Sequence, residues 1–173
     1  MRARRSYAEN MRTRGLLLAL LTTAALTTGC GPGAIACPAI AQATAVSVTI
    51  AADYAPLVGT LHVKACQDGT CKEGPVELAP GSASIDQGCT PDGVCSATAS
   101  PDGTKVGMLM LDTLTESAMT VTASGTGADG SALPVRTLEF RPRADYPFGE
   151  QCGRFISASV TLDAAGLSEA RGS

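Results

Sequence analysis

Short alternating runs of apolar and polar residues, broken repeatedly by Asp-Gly, constrain this chain more than any other feature. Ala45 to Ile50 (AVSVTI) puts Val46, Val48 and Ile50 on one face, and Thr60 to Ala65 (TLHVKA) puts Leu61, Val63 and Ala65 inward with His62 and Lys64 outward. A period of two is the signature of a half-buried strand. Lys105 to Leu111, Ala118 to Ala123, Pro134 to Phe140 and Arg154 to Leu162 read the same way, with weaker candidates at Pro75 to Leu78 and Ser82 to Asp86. Asp-Gly pairs at Asp68, Asp92, Asp102 and Asp129 fall between these runs, where hairpin turns need residues that tolerate positive φ. Only Thr113 to Ser117 hints at helix, for one turn at most. The pattern predicts an all-β chain, an antiparallel sandwich of about seven strands.

The chain has seven cysteines. Setting Cys30 aside leaves Cys37, Cys66, Cys71, Cys89, Cys95 and Cys152, an even set that reads as a disulfide framework in an oxidising compartment. An Asp68-Gly69 turn makes Gln67 and Thr70 the hydrogen-bonded pair and puts Cys66 opposite Cys71 at the next, non-hydrogen-bonded position, within disulfide reach. Cys89 and Cys95 offer a similar closure around Asp92-Gly93, which leaves Cys37 for Cys152. Exchange of partners among the four middle cysteines is the rival arrangement.

The N-terminus reads as an export signal. Arg12 and Arg14 precede a run of about a dozen mostly apolar residues, Gly15 to Leu26, which has the length and polarity of a signal peptide and falls short of the roughly 20 apolar residues of a membrane-spanning helix. Met11 starts a more compact signal than Met1. Leu26-Thr27-Thr28-Gly29-Cys30 resembles the lipobox of bacterial lipoproteins, with Thr27 standing where that pattern usually has Leu. The resemblance implies cleavage before Cys30 and a diacylglyceryl anchor on its thiol. Two acyl chains hold a protein at a membrane far better than one, since each buried CH₂ contributes about 0.8 kcal/mol. A secreted product with a free Cys30 is the alternative.

The expected organisation is a signal peptide at 1–29, a lipidated Cys30 with a short tether to 42, a sandwich at 43–166 and a flexible tail at 167–173. In immunoglobulin-like sandwiches the first strand often pairs in parallel with the last, and a Cys37–Cys152 bridge would then fasten both at one pole. The pattern resembles the immunoglobulin-like or prealbumin-like domains of small bacterial surface lipoproteins. That resemblance implies a membrane-proximal pole and a distal pole whose loops meet a partner.

Composition narrows the function classes. Removing residues 1–29 leaves 8 basic and 15 acidic groups, a net charge of −7, and no basic run, which disfavours nucleic acid as a partner. The single histidine, His62, sits on an outward strand face, and no serine falls in a Gly-x-Ser-x-Gly or Ser-x-x-Lys context. The Asp-Gly turns lack the alternating acids of a calcium loop. Glu73 with Glu77 and Asp112 with Glu116 are carboxylate pairs of the kind glycoside hydrolysis uses, but they read better as solvated acids. No catalytic residue, metal site or cofactor is expected.

The most distinctive stretch, Arg141 to Cys152, gathers Arg141, Arg143, Tyr146 and Phe148, residue types that anchor many protein interfaces, although packing over the end of its own sandwich is the plainer reading. Tyr54-Ala55-Pro56-Leu57 invites the same two readings. The sequence therefore leads us to expect a lipid-anchored, extracytoplasmic, non-catalytic binding module meeting an envelope protein or polymer. A small-ligand carrier, with Met108, Met110 and Met119 lining a cavity between the sheets, is the alternative; an enzyme is the remote one.

Overall fold

The computed structural model describes residues 36–39 and 42–170. The chain divides into two units, Met1–Pro38 and Ala39–Ser173. Of the first, residues 36–38 are described and carry no regular secondary structure; the signal segment, Cys30 and most of the tether lie outside the described residues.

The second unit is an all-β sandwich. Its strands are β1 (Ala45–Ile50), β2 (Val58–Gln67), β3 (Thr70–Val76), β4 (Ala79–Cys89), β5 (Cys95–Met110), β6 (Met119–Gly127), β7 (Arg136–Phe140), β8 (Arg143–Asp145), β9 (Phe155–Leu162) and β10 (Leu167–Glu169), with a 3-10 turn at Ala55–Leu57. One sheet runs β10-β9-β1-β5-β4, with β8 paired to the start of β9; the other runs β3-β2-β6-β7. Every pairing is antiparallel except β1 with β9, which align in parallel from Val46–Ala158 to Ile50–Leu162. The sheets face each other with β10 against β7 and β3 against β5.

Alternation explains the core. Val46, Val48 and Ile50 of β1 meet Leu61, Val63 and Ala65 of β2, Met119, Val121 and Ala123 of β6, and Ala158, Val160 and Leu162 of β9, all buried. β-Branched side chains suit this pleated, half-buried setting. Fully burying each large aliphatic group contributes roughly 1.5–3 kcal/mol, so the small aromatic content leaves no deficit that a Val-rich core cannot meet.

The β2–β3 turn follows directly from its residues. Asp68 and Gly69 both have positive φ, 50° and 78°, the conformation of a type I′ hairpin turn. Gln67 then pairs with Thr70 and Cys66 with Cys71, and the latter two are joined in a disulfide across a Cα separation of 4.0 Å. Counting on from the turn, Pro75 opposite His62 falls at a non-hydrogen-bonded position, so its missing N–H lies on the outer edge of β3, where a sheet tolerates proline.

Several expectations change. Leu167–Glu169 is not a tail but pairs with Leu162 to Val160 of β9, because Gly166 at φ 144° lets the chain reverse after Asp163. Thr113 to Ser117 is not helical. The Gln67 side chain holds it instead, donating to the carbonyls of Thr115 (3.0 Å) and Ser117 (2.8 Å) and accepting from the Thr115 N–H (3.0 Å). Asp102-Gly103 is not a hairpin turn. It forms a bulge inside the 16-residue β5, where Pro80 pairs with Lys105 and Ser82 with Pro101, so Gly81 alone faces Asp102, Gly103 and Thr104. Ser82 to Asp86, a weak candidate, belongs to a long hairpin in which β4 and β5 run out to a Cys89–Cys95 disulfide.

Candidate functional site

β1 and β9 begin at one pole and end at the other, and every loop can be placed by that polarity. The β2–β3 turn, the connection from β5 to β6 and the segment from Arg141 to Arg154 lie at the pole where β1 begins. The Ala55–Leu57 turn, the loop after β6, the β9–β10 turn and the outer part of the β4–β5 hairpin lie at the opposite pole, distal to the start of β1.

The sequence-based candidates Arg141, Arg143, Tyr146 and Phe148 are therefore on the pole where the sandwich begins, and they are mostly engaged with their own domain. Arg141 donates to the Glu116 carbonyl at 3.5 Å, and Arg143 pairs with Glu169 at 2.8 Å. Phe148 packs edge-on against Phe155, with ring centroids 5.8 Å apart. Part of the segment is not loop at all, since Arg143–Asp145 pairs with β9. Tyr146, 47% exposed, is the member of the group that points away.

At the distal pole the Ala51 carbonyl accepts from the N–H groups of Tyr54 (2.9 Å) and Ala55 (2.7 Å), and Pro56 pre-sets the 3-10 turn that follows. This makes a ridge with Leu57 58% exposed on it. An open cleft lies on each side. One, about 350 Å³, runs between Tyr54, Pro56 and Leu57 and the loop from Gly127 to Pro134. The other, about 370 Å³, runs between Pro56 and the base of the β4–β5 hairpin at Pro80 and Pro101. Both are lined mainly by Pro, Leu and Ala.

Several polar groups bordering these clefts already have partners. Asp129 accepts from the Ser131 hydroxyl (2.7 Å) and N–H (2.9 Å), which holds its carboxyl below the ordinary carboxylate range. Asp102 is lowered in the same way by the Thr104 hydroxyl (2.7 Å) and N–H (3.0 Å). Lys105 donates to the Val58 carbonyl at 2.7 Å. Apolar walls with satisfied polar rims suit the docking of an apolar side chain from a partner.

The remaining candidates disperse. His62 is exposed on β2 between Pro75 of β3 and Ser124 of β6. Glu73 pairs with Lys64 at 3.6 Å, Asp112 with Lys72 at 3.5 Å and Glu116 with Arg154 at 2.6 Å, so three of the four acids weighed for glycoside hydrolysis are held in exposed ion pairs. Among the described residues no group of three or more His, Cys, Asp or Glu stands close enough to hold a metal ion. Met119 is buried, but the β5 register turns Leu109 inward and leaves Met108 and Met110 on the outer face, 56% and 54% exposed, where they cannot line a cavity between the sheets. Cys37 and Cys152 are both half-cystines.

What sequence reasoning missed is that the β4–β5 hairpin projects beyond the sandwich. From Ser82 to Cys89 and from Cys95 to Ala99 every residue is exposed, on both faces of the ribbon, so this part of the hairpin is an arm projecting beyond the sandwich. The one available signal was the run of Ser, Ala and Thr around Cys89 and Cys95, too small-sided to fill a core.

No protein-family model, no curated protein and no solved structure matches this chain.

Proposed function

We propose that the chain is a lipid-anchored, extracytoplasmic binding module, held at the outer face of the cell membrane through Cys30, fastened at its proximal pole by a Cys37–Cys152 bridge, and engaging an envelope partner without catalysis. The observation that carries this reading is the polarity of the sandwich. β1 starts at one pole, while two apolar clefts and the arm stand at the other. Disulfides at Cys66–Cys71 and Cys89–Cys95 support an oxidising compartment. The partner-contact role expected of Arg141, Arg143 and Phe148 passes to the distal ridge, because those three side chains are engaged within their own domain.

The test is metabolic labelling with radioactive palmitate in a bacterial host, followed by fractionation. The expected outcome is a labelled, membrane-retained product whose label and retention both disappear in Cys30→Ser. An unlabelled product in the soluble cell interior, with reduced thiols, overturns the reading.

A further inference from the structure

The arm has no core beneath it, and an isolated two-stranded ribbon is only marginally stable in water. This one is fastened at the tip by the Cys89–Cys95 disulfide and by Thr90, whose N–H donates to the Val94 carbonyl at 2.8 Å and whose carbonyl accepts from Gly93 at 2.9 Å. Eight residues from Ser82 to Cys89 extend it by about 25 Å at ~3.3 Å per residue. Proteins usually blunt such an edge with Lys, Pro or a covering element. Here β4 ends its sheet, and among the described residues nothing pairs with its outer side.

The direction of the edge groups follows from proline. Pro101 cannot donate, so Ser82–Pro101 is a non-hydrogen-bonded pair, and by alternation Ala83–Ser100 and Ile85–Thr98 exchange the ladder bonds. Ser82, Ser84 and Asp86 therefore aim their N–H and C=O groups outward. The β5 side of the arm is interrupted by Pro101, whereas β4 offers three successive open positions. Charge selects the occupant. From Ser82 to Ser100 the arm carries two carboxylates, Asp86 and Asp92, and no Lys or Arg. A second copy would bring like-charged arms together; a cationic segment meets complementary charge.

We infer that the outer edge of β4, from Ser82 to Asp86, is a strand-addition site for an extended, Lys- or Arg-bearing segment of a partner protein. Backbone bonds to Ser82, Ser84 and Asp86 set its register, and the acidic arm supplies the preference for positive charge. The inference rests on the binding-module reading but not on the anchor, so palmitate labelling and arm binding can fail separately.

The experiment uses the oxidised domain and three synthetic peptides: one alternating Lys and Val, its Glu-for-Lys counterpart, and the Lys peptide with a central Pro. Amide hydrogen exchange by NMR reads the site. In the free protein the Ser84 and Asp86 amides exchange fast while Ala83 and Ile85 are protected. The Lys peptide slows Ser84 and Asp86, binding roughly tenfold or more tighter than the Glu peptide at low salt, with the difference shrinking as salt screens it. The Pro peptide does not protect them. Ser84→Pro, which removes only an outward N–H, abolishes binding while Ala83 and Ile85 stay protected, and Asp86→Asn weakens it. Binding that ignores peptide charge, binding unaffected by Ser84→Pro, protection elsewhere on the domain, or self-association of the protein through the arm overturns the proposal.

Discussion

At the residue scale, two short motifs repeat one device. In Asp102-Gly103-Thr104 and Asp129-Gly130-Ser131 the carboxylate takes both the hydroxyl and the N–H of the residue two positions on. A carboxyl bonded this way favours its charged form, so its folded pKa falls below the unfolded value. The stabilisation is therefore present above the unfolded value, 3.8, and is lost as pH falls through the lower, folded value. A carbon-detected NMR titration of the side-chain carboxyls checks this. Asp102 and Asp129 should titrate below the ordinary carboxylate range, and Thr104→Val should bring Asp102 back toward that range while leaving Asp129 unmoved. Identical Asp102 titration in the two proteins would contradict the assignment.

At the element scale, the register of β5 separates residues that look alike in sequence. Met119 fills the core, whereas Met108 and Met110 ride the outer face beside Ser47 and Ala45 of β1. Met119→Ala should cost about 2–5 kcal/mol in urea denaturation, and Met108→Ala and Met110→Ala each less than about 0.5 kcal/mol. Comparable losses at all three would mean that β5 is slipped by one residue. The arm makes a second contrast. Because it contributes nothing to the buried core, Cys89→Ser with Cys95→Ser should speed exchange of the ladder amides of Ala83, Ile85, Thr98 and Ser100 by roughly tenfold or more while leaving the unfolding midpoint nearly unchanged, as local stability is not shared evenly through a fold. A collapse of global stability in that variant would show that the arm is part of the cooperative unit.

At the scale of the whole molecule, the parallel β1–β9 pair joins the beginning of the domain to its end. The proposed Cys37–Cys152 bridge would reinforce that junction by closing a loop of over 100 residues. Cys152→Ser should lower the unfolding free energy by about 2–5 kcal/mol, read by denaturant titration under non-reducing conditions. An unchanged value would mean that the domain's ends are secured by strand pairing alone. The surface ion pairs Lys64–Glu73 and Lys72–Asp112, both well exposed, add little to this total.

Much of the sandwich was legible locally. The faces of β1 and β2, the turn at Asp68-Gly69 and the closeness of Cys66 to Cys71 all follow from side-chain period and from the φ values that Asp and Gly accept, properties of neighbouring residues that need no distant contact. What the sequence could not decide was anything set by long-range pairing. Whether Asp102-Gly103 ends a strand or bulges within one depends on β4 lying alongside. Leu167 to Glu169 becomes a strand because β9 has an edge to fill. Thr113 to Ser117 is shaped by Gln67, 48 residues before Thr115. The candidate site is the extreme case: a ridge, two clefts and a bare arm share the distal pole only because the β1–β9 pairing sets the polarity of the sandwich. Local chemistry determined the strands, and tertiary pairing decided which of their ends share a pole.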